Sequence, residues 1–340
     1  MKALRIVQPG VTELVESEAP APGEGEVFLQ LVRVGFCGSD LSTFLGKNPM
    51  VGYPRIPGHE IGARVVSHGP GVPDDVPLGA PVTVVPYTSC GECASCRRGR
   101  SYACRFNQTL GVQRDGTMSE FVAVPWQKIL VVPGLQFRQL ALVEPLTVGF
   151  HAISRGRAEA GDTVAVFGCG VIGLGAIAGA ASRGARVVAV DIEDVKLDLA
   201  RRLGAAETVN TRSENLHEKL AALTDGHGPD LCVEAVGHPA TYRACVEEAA
   251  FTGRVVCIGY AKEDVAFPTK LWVQKELDIL GSRNAAPEDF RRVAAYLGET
   301  DFPYEAVITR EVPLDQAGQA LADWAANPGA VTKIMVAISE

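Results

Sequence analysis

The sequence has few features of membrane, nucleic-acid-binding or secreted proteins. Its longest apolar runs are broken by glycine and are shorter than the roughly 18 residues that a membrane-spanning helix needs. No strongly basic stretch or domain stands out and the net charge is −8, so nucleic acid is an unexpected partner. The first ten residues, MKALRIVQPG, lack the apolar segment of a signal peptide. We therefore predict no membrane association and expect a cytoplasmic location.

A disulfide framework is also not expected. The chain has nine cysteines, an odd number, and only four of them are clustered. Free thiols in this arrangement are typical of a reducing compartment. The length of 340 residues exceeds that of one ordinary domain, and a hydrophobic content of 47% is enough for two cores.

The pattern of apolar and turn-forming residues changes near residue 150. Residues 1–149 are β-rich, with short alternating segments separated by proline and glycine, which indicates a barrel or sandwich. Residues 150–285 alternate apolar strands with helical patterns, which predicts an α/β fold with a doubly wound parallel (Rossmann) sheet. Residues 286–340 are expected to return to the first domain. The strands expected in the parallel sheet are residues 163–167, 186–190, 207–209, 230–233, 254–258 and 277–280.

The stretch from Thr163 to Asp191 is typical of a dinucleotide-binding site. A buried strand is followed by G-x-G-x-x-G, a helix rich in small residues, and a second strand that ends on an acidic residue. The glycines permit a tight turn, close approach of a pyrophosphate, and close packing of helix on strand, while the carboxylate can bind ribose hydroxyls. A chance glycine-rich turn, and an Asp191 that only caps the next helix, are the alternatives. The candidate cofactor residues are Gly168, Gly170, Val171, Ile172, Gly173 and Asp191.

A cluster of four cysteines has the spacing of a metal site. Cys90, Cys93, Cys96 and Cys104 form C-x2-C-x2-C-x7-C. Four thiolates on a short loop can surround a tetrahedral Zn²⁺ and leave no open position, so we predict a structural zinc. A disulfide-rich loop and an iron–sulfur cluster are the alternatives.

A second candidate metal group is spread over three segments of the first domain. GFCGSD contributes Cys37, GHE contributes His59 and Glu60, and LVEPLTVG contributes Glu144. A thiolate, an imidazole and a carboxylate can hold zinc with one open position, as catalysis requires. Glu60 and Glu144 are not ranked by the sequence. Separately, Cys37 could be a core thiol and His59 a turn histidine, but together beside a dinucleotide fold they indicate a site.

These segments together resemble the zinc-containing medium-chain alcohol dehydrogenase family over essentially the whole chain. GFCGSD, PGHE, GECASC, EPLTVG, the glycine-rich turn and ILGSRN occur in the family's order. The branch with the most similar sequence pattern comprises the polyol, threonine and sugar-acid dehydrogenases, among them L-galactonate 5-dehydrogenase. The resemblance implies a GroES-like catalytic domain beside the Rossmann domain. It also implies an NAD cofactor, two zinc ions per subunit, one catalytic and one structural, and a homodimer or homotetramer.

The resemblance also implies roles for single residues. Ser39 would accept the proton of the substrate hydroxyl, and Asp40 would orient His59. Many relatives have a relay histidine where this chain has Ser42, so water or Ser42 would take its place. Arg283 and Lys333 are weaker candidates for binding cofactor phosphates, and ordinary surface charges are an equal alternative for both.

The expected reaction is reversible hydride transfer between NAD and a secondary hydroxyl of a sugar acid or polyol, with the metal polarising the substrate oxygen. Threonine or another alcohol is an alternative substrate. A non-catalytic NAD(H)-sensing or zinc-ribbon binding protein is the alternative class. The pocket residues suggested by position alone are Phe44, Lys47, Tyr53 and Arg114.

Overall fold

The computed structural model describes all 340 residues and divides into two compact units. The first unit comprises Met1–Glu144 and Ala286–Glu340, and the second comprises Pro145–Ala285. The strands are β1 (Lys2–Gln8), β2 (Val11–Glu16), β3 (Glu26–Phe36), β4 (Glu60–His68), β5 (Pro81–Val84), β6 (Phe121–Pro125), β7 (Ile129–Val131), β8 (Thr163–Phe167), β9 (Arg186–Asp191), β10 (Ala205–Asn210), β11 (Leu231–Glu234), β12 (Arg254–Cys257), β13 (Asp278–Gly281), β14 (Ile308–Pro313) and β15 (Lys333–Ala337).

The helices range in length from the four residues of α2 to the 19 residues of α3. They are α1 (Gly38–Phe44), α2 (Ala94–Arg97), α3 (Phe137–Arg155), α4 (Val171–Ala181), α5 (Asp194–Arg202), α6 (Leu216–Leu223), α7 (Pro239–Glu248), α8 (Lys270–Gln274), α9 (Pro287–Glu299), α10 (Tyr304–Val307) and α11 (Ala317–Ala326). The division between the units falls inside α3, between Glu144 and Pro145. None of the helices is long and apolar enough to cross a membrane.

The first unit is organised around β3, the longest strand. Its sheet has the order β14-β15-β3-β4-β5-β7, and β6 also pairs with β3. Alternate side chains of β3 (Val27, Leu29 and Leu31) are completely buried, as expected for a strand with one face on a core. The last strand, β15, lies between β14 and β3. The C-terminal segment is therefore an integral part of the sheet that carries Cys37 at the end of β3.

The second unit is a six-stranded parallel sheet in the order β10-β9-β8-β11-β12-β13. Numbered from β8, this is the 3-2-1-4-5-6 order of the Rossmann fold, with the switch point between β8 and β11. The central strands are apolar because both faces of the sheet are covered. The small residues of α4 also have a packing reason, since a Cβ at Gly175 would lie 2.4 Å from the carbonyl oxygen of Leu146. The predicted α/β class is confirmed.

Candidate functional site

The start of α1 carries the first candidate ligand. Cys37 immediately follows β3 and is the N-cap residue of α1. The carboxylate of the completely buried Asp40 accepts hydrogen bonds from the backbone N–H of Cys37 (2.8 Å) and from that of Gly58 (3.2 Å). The sequence predicts that Asp40 orients His59. Its hydrogen bonds fix the two backbone segments on which Cys37 and His59 stand.

His59 and Glu60 lie where β4 begins, beside the end of β3. Gly58 has φ +98°, and a Cβ there would lie 3.0 Å from Val34 and 3.2 Å from the backbone nitrogen of Met118, so this turn requires glycine. Each of Cys37, His59 and Glu60 has a ligand atom within 4.8 Å of those of the other two. The structure thus brings three of the four predicted residues into one group, and Glu144 is not a member of that group.

The electrostatics of this group favour a cation. Burial lowers the pKa of His59, but Cys37, Glu144 and Asp40 outweigh burial, and the pKa is raised well above its usual value. Burial raises the pKa of Glu60 to about 7, with Lys333 opposing the shift and Glu144 adding to it. The Nδ1 atom of His59 is buried without a hydrogen-bond partner. The half-buried thiol of Cys37, the buried imidazole of His59 and the buried carboxylate of Glu60 are ligand types that fit a zinc ion.

A hydroxyl next to this group is also without a partner. The Oγ atom of Ser39, two residues after Cys37, is buried and makes no hydrogen bond. Buried polar atoms are normally satisfied, so an unsatisfied hydroxyl beside a candidate ligand is a plausible binding point for a substrate group. Ser42 is half-buried one turn further along α1.

Glu60 forms a buried ion pair with the C-terminal segment. The Nζ atom of Lys333 donates to both carboxylate oxygens of Glu60 at 2.6 Å and to the carbonyl oxygen of Phe36 at 2.8 Å. A Cβ at Gly35 would lie 2.0 Å from Oε2 of Glu60, so the pair depends on the absence of a side chain there. All three ammonium protons are used. The expectation that Lys333 binds a cofactor phosphate is therefore wrong.

Glu144 has a different partner. It lies in α3, one residue before Pro145, and is 4% exposed. The hydroxyl of Tyr87 donates a short hydrogen bond to its Oε1 atom. Burial and the nearby Glu144 hold the pKa of Tyr87 well above its usual value, so the phenol stays protonated and acts as the donor. The sequence analysis missed Tyr87, although its position in PYTSC, directly before the cysteine cluster, was a visible signal.

The four clustered cysteines have the geometry of a tetrahedral metal site. The sulfur atoms lie 3.5 Å (Cys93–Cys96), 3.8 Å (Cys93–Cys104) and 3.6 Å (Cys104–Cys90) apart. Zinc–sulfur bonds of about 2.3 Å in a tetrahedron place the sulfurs about 3.8 Å apart. The backbone N–H groups of Cys90, Cys93 and Phe106 donate to these sulfurs. All nine cysteines are free in this structure.

The glycine-rich turn has the geometry that a dinucleotide requires. Gly168 has φ +94°, and a Cβ at Gly173 would lie 1.8 Å from the carbonyl oxygen of Gly168. Gly170 is the N-cap residue of α4 and has open space where a Cβ would be. Val171 and Ile172 form the first turn of that helix and are half-buried. The first N–H groups of a helix have no partner within it, so this N-terminus fits a phosphate.

Asp191 ends β9 and is engaged with backbone groups. Its Oδ2 atom accepts a hydrogen bond from Cys169 N at 2.6 Å, and its Oδ1 atom accepts from Ile192 N (2.7 Å) and Glu193 N (3.0 Å). The carboxylate thereby fastens the glycine-rich turn to the end of the second strand. It is not the N-cap of α5, because that helix begins at Asp194 with Glu193 as its N-cap residue.

The remaining residues suggested by the sequence are dispersed. Phe44 is part of the first unit's core, and the hydroxyl of Tyr53 donates to the carbonyl oxygen of Thr43. Lys47 is exposed, and Arg114 is half-buried with its Nε atom unpaired. Arg283 is half-buried two residues after the end of β13.

Comparison with known proteins agrees with both units. Residues 23–134 match the model of the alcohol dehydrogenase GroES-like domain, and residues 171–299 match that of the zinc-binding dehydrogenases. The L-galactonate-5-dehydrogenase of Escherichia coli K12 is 33% identical over 314 residues, which are 92% of each chain.

Solved structures cover almost the whole chain. An alcohol dehydrogenase of Escherichia coli CFT073 complexed with NADH has a TM-score of 0.91 and 29% identity, over 99% of each chain. A protein of the zinc-binding dehydrogenase type from Sinorhizobium meliloti 1021, bound to NADP, has a TM-score of 0.91 and 30% identity, also over 99% of each chain. With 33% identity to a relative over 92% of each chain and with both domain models matched, this chain belongs to the zinc-type medium-chain alcohol dehydrogenase family.

Proposed function

We propose that the protein oxidises a secondary alcohol of a sugar acid or polyol to a ketone, reversibly, with NAD as the hydride acceptor. The observation that carries this proposal is the group of Cys37, His59 and Glu60, together with the unsatisfied buried hydroxyl of Ser39 two residues after Cys37. A purely NAD(H)-sensing protein has no need of an open metal site with an adjacent proton acceptor, and a zinc-ribbon module has no need of a dinucleotide fold. The catalytic interpretation accounts for both.

The chain's own residues divide the work. Cys37 and His59, with Glu60 or Glu144, would hold the catalytic zinc, which when bound supplies Lewis-acid polarisation of the substrate oxygen. Ser39 accepts the proton of the substrate hydroxyl and passes it toward solvent, with water or Ser42 next in line. Asp40 keeps the backbones of the two ligand segments in register through its hydrogen bonds to Cys37 and Gly58. The four cysteines from Cys90 to Cys104 would hold a second, structural zinc.

A sugar acid is the favoured substrate class, slightly ahead of a neutral polyol. The support is Glu144 within EPLTVG and the similarity to an enzyme that acts on L-galactonate. The test is NADH formation with a panel of aldonates, polyols, L-threonine and ethanol. We expect the highest kcat/KM for an aldonate or polyol. Faster turnover of ethanol than of any aldonate or polyol would refute the substrate class, and faster turnover of threonine would favour the alternative.

NAD is proposed over NADP because of the charge at the end of β9. Similar structures hold NADH or NADP, so the choice depends on this chain's own residues. Asp191 is followed by Ile192, Glu193 and Asp194, and a ribose phosphate would bring about −1.5 to −2 charges against them. The test compares kcat/KM for the two cofactors in the wild type and in Asp191→Ala. We expect a preference for NAD that the variant largely loses; equal use of both by the wild type would contradict the proposal.

We also propose that the chain forms a homo-oligomer, a homodimer or a homotetramer. β13 is an edge strand of the parallel sheet, and edge strands leave backbone groups unpaired. Ile279 on this strand, Val273 in α8 and Phe251 are 39%, 83% and 69% exposed. Sedimentation analysis should give a dimer or tetramer that Ile279→Lys weakens, whereas a monomeric wild type at micromolar concentration would refute the association.

A further inference from the structure

Tyr87 is the hydrogen-bond donor to one of the two candidate carboxylates. It is 4% exposed, and its hydroxyl donates to Oε1 of Glu144. Its ring packs edge-to-face on Phe290, with centroids 6.2 Å apart and an interplanar angle of 73°. The ring position is thus set by packing and the hydroxyl by one charge-assisted hydrogen bond, a strong class of bond.

The backbone of Tyr87 is part of the base of the four-cysteine loop. Tyr87 forms a β-bridge with Thr109. The N–H of Gln108 donates to the hydroxyl of Thr88 at 2.7 Å, and the N–H of Leu110 donates to the carbonyl oxygen of Pro86 at 3.1 Å. These contacts join the segment before Cys90 to the segment after Cys104. The loop that gathers the four thiolates therefore also fixes the residue that holds Glu144.

The position of Glu144 matters to the group around Cys37. The helix that carries Glu144 packs against the strand that carries Glu60, since a Cβ at Gly62 in β4 would lie 2.1 Å from the carbonyl oxygen of Phe137 in α3. The charge of Glu144 also raises the pKa of His59 and that of Glu60. Glu60 itself is held by Lys333 from the opposite end of the chain. Each candidate carboxylate thus has its own buried partner: an ammonium for Glu60 and a phenol for Glu144.

We propose that Tyr87 is a positioning residue for Glu144, and that through it the four-cysteine loop sets the carboxylate's place beside Cys37, His59 and Glu60. The loop then has a role beyond its own stability, because ordering it orders a group at the reacting site. This inference rests on the proposed function, but it concerns metal binding and can be tested without any substrate.

The first test replaces the phenol without disturbing its packing. Tyr87→Phe keeps the ring on Phe290 and removes only the hydroxyl. The full-length protein is prepared with Co²⁺ at the Cys37 site and zinc at the four cysteines, and the visible absorption and the cobalt dissociation constant are measured. We expect a shifted spectrum and a dissociation constant raised about 10-fold, since the loss of an outer-shell partner typically costs 10–100-fold in metal affinity. The matched control is Tyr242→Phe, which removes a hydroxyl bonded to the carbonyl oxygen of Gly259 in the second unit.

A double-mutant cycle identifies the route of the effect. In a Glu144→Gln background, Tyr87→Phe should change the cobalt dissociation constant less than 3-fold, because the two residues act through one contact. Thr88→Ala, which loosens the base of the loop, should shift the cobalt absorption spectrum in the same direction as Tyr87→Phe does. Combining the two substitutions should change the cobalt dissociation constant no more than Tyr87→Phe alone.

Two results would overturn the proposal. One is an effect of Tyr87→Phe no larger than that of Tyr242→Phe. The other is an undiminished effect of Tyr87→Phe when Glu144 is already glutamine. A protein that oxidises no alcohol but shows the expected cobalt changes would refute the proposed function alone.

Discussion

Replacing Lys333 by methionine should cost the first unit a large part of its stability. The side chains of Lys333 and Glu60 are 2% and 0% exposed, so the variant leaves a carboxylate buried without its ammonium partner. Removing one member of a buried ion pair typically costs about 3–5 kcal/mol, against about 0–1 kcal/mol for an exposed pair. The carbonyl oxygen of Phe36 also loses its donor. For a unit of this size, 1 kcal/mol corresponds to about 2–4 °C, so the melting temperature should fall by roughly 6–20 °C.

The assay is thermal unfolding of the zinc-saturated protein, monitored by calorimetry so that the transition of the first unit can be identified. Arg310→Met is the control, because Arg310 pairs with Asp323 at 2.8 Å with both side chains more than a third exposed. It should lower the melting temperature by no more than about 4 °C. Glu60→Gln combined with Lys333→Met should recover part of the loss, since the uncompensated charge is then absent. A Lys333→Met protein that melts with the Arg310→Met control would refute the reasoning.

Three further predictions follow from the site. In Gly173→Ala the new Cβ would lie 1.8 Å from a carbonyl oxygen, so the second unit should fail to fold or lose cofactor affinity, whereas Gly170→Ala, in open space, should fold and only weaken NAD binding. Calorimetry and NADH fluorescence titration distinguish the two variants, and equal behaviour would contradict the packing argument. Metal analysis should give about two zinc ions per chain. Cys93→Ser should lose one zinc ion and much of the stability, and Cys37→Ala should lose the other zinc ion and all turnover while keeping the fold. Activity in a zinc-free wild type would contradict a zinc mechanism. Ser39→Ala should lower kcat by about 10²-fold or more with NADH binding unchanged, as expected for loss of a proton acceptor, and a near-normal kcat would remove Ser39 from the mechanism.

Local patterns predicted the second unit well. All six strands of its sheet were expected from their apolar runs, and the first of them has the predicted bounds of residues 163–167. A parallel strand covered on both faces is apolar along its whole length, so its sequence is distinctive. The glycine pattern was equally clear, because Gly168 has φ +94° and a Cβ at Gly173 would lie 1.8 Å from a backbone carbonyl oxygen.

Contacts between distant segments could not be predicted in this way. Lys333 and Glu60 are 273 residues apart in the sequence. Without knowledge of that contact, a lysine at the start of a strand is predicted to be an ordinary surface charge. Asp40 was expected to act on His59, but its hydrogen-bond donors could be identified only from the folded backbone. Its carboxylate accepts hydrogen bonds from the N–H groups of Cys37 and Gly58. In each case a short-range pattern identified the residue type, and the partner depended on which strands became neighbours in the sheet.

The position of the last strand has a consequence for synthesis on the ribosome. β15 lies between β14 and β3, and Arg33 in β3 donates to the carbonyl oxygen of Ser339 at 2.8 Å. The sheet of the first unit is therefore incomplete until Lys333–Ala337 has left the ribosomal tunnel. Residues 145–285 include every strand of their own sheet and are synthesised earlier. The inserted unit should thus fold first during translation, while the amino-terminal segment, already made, waits for the end of the chain.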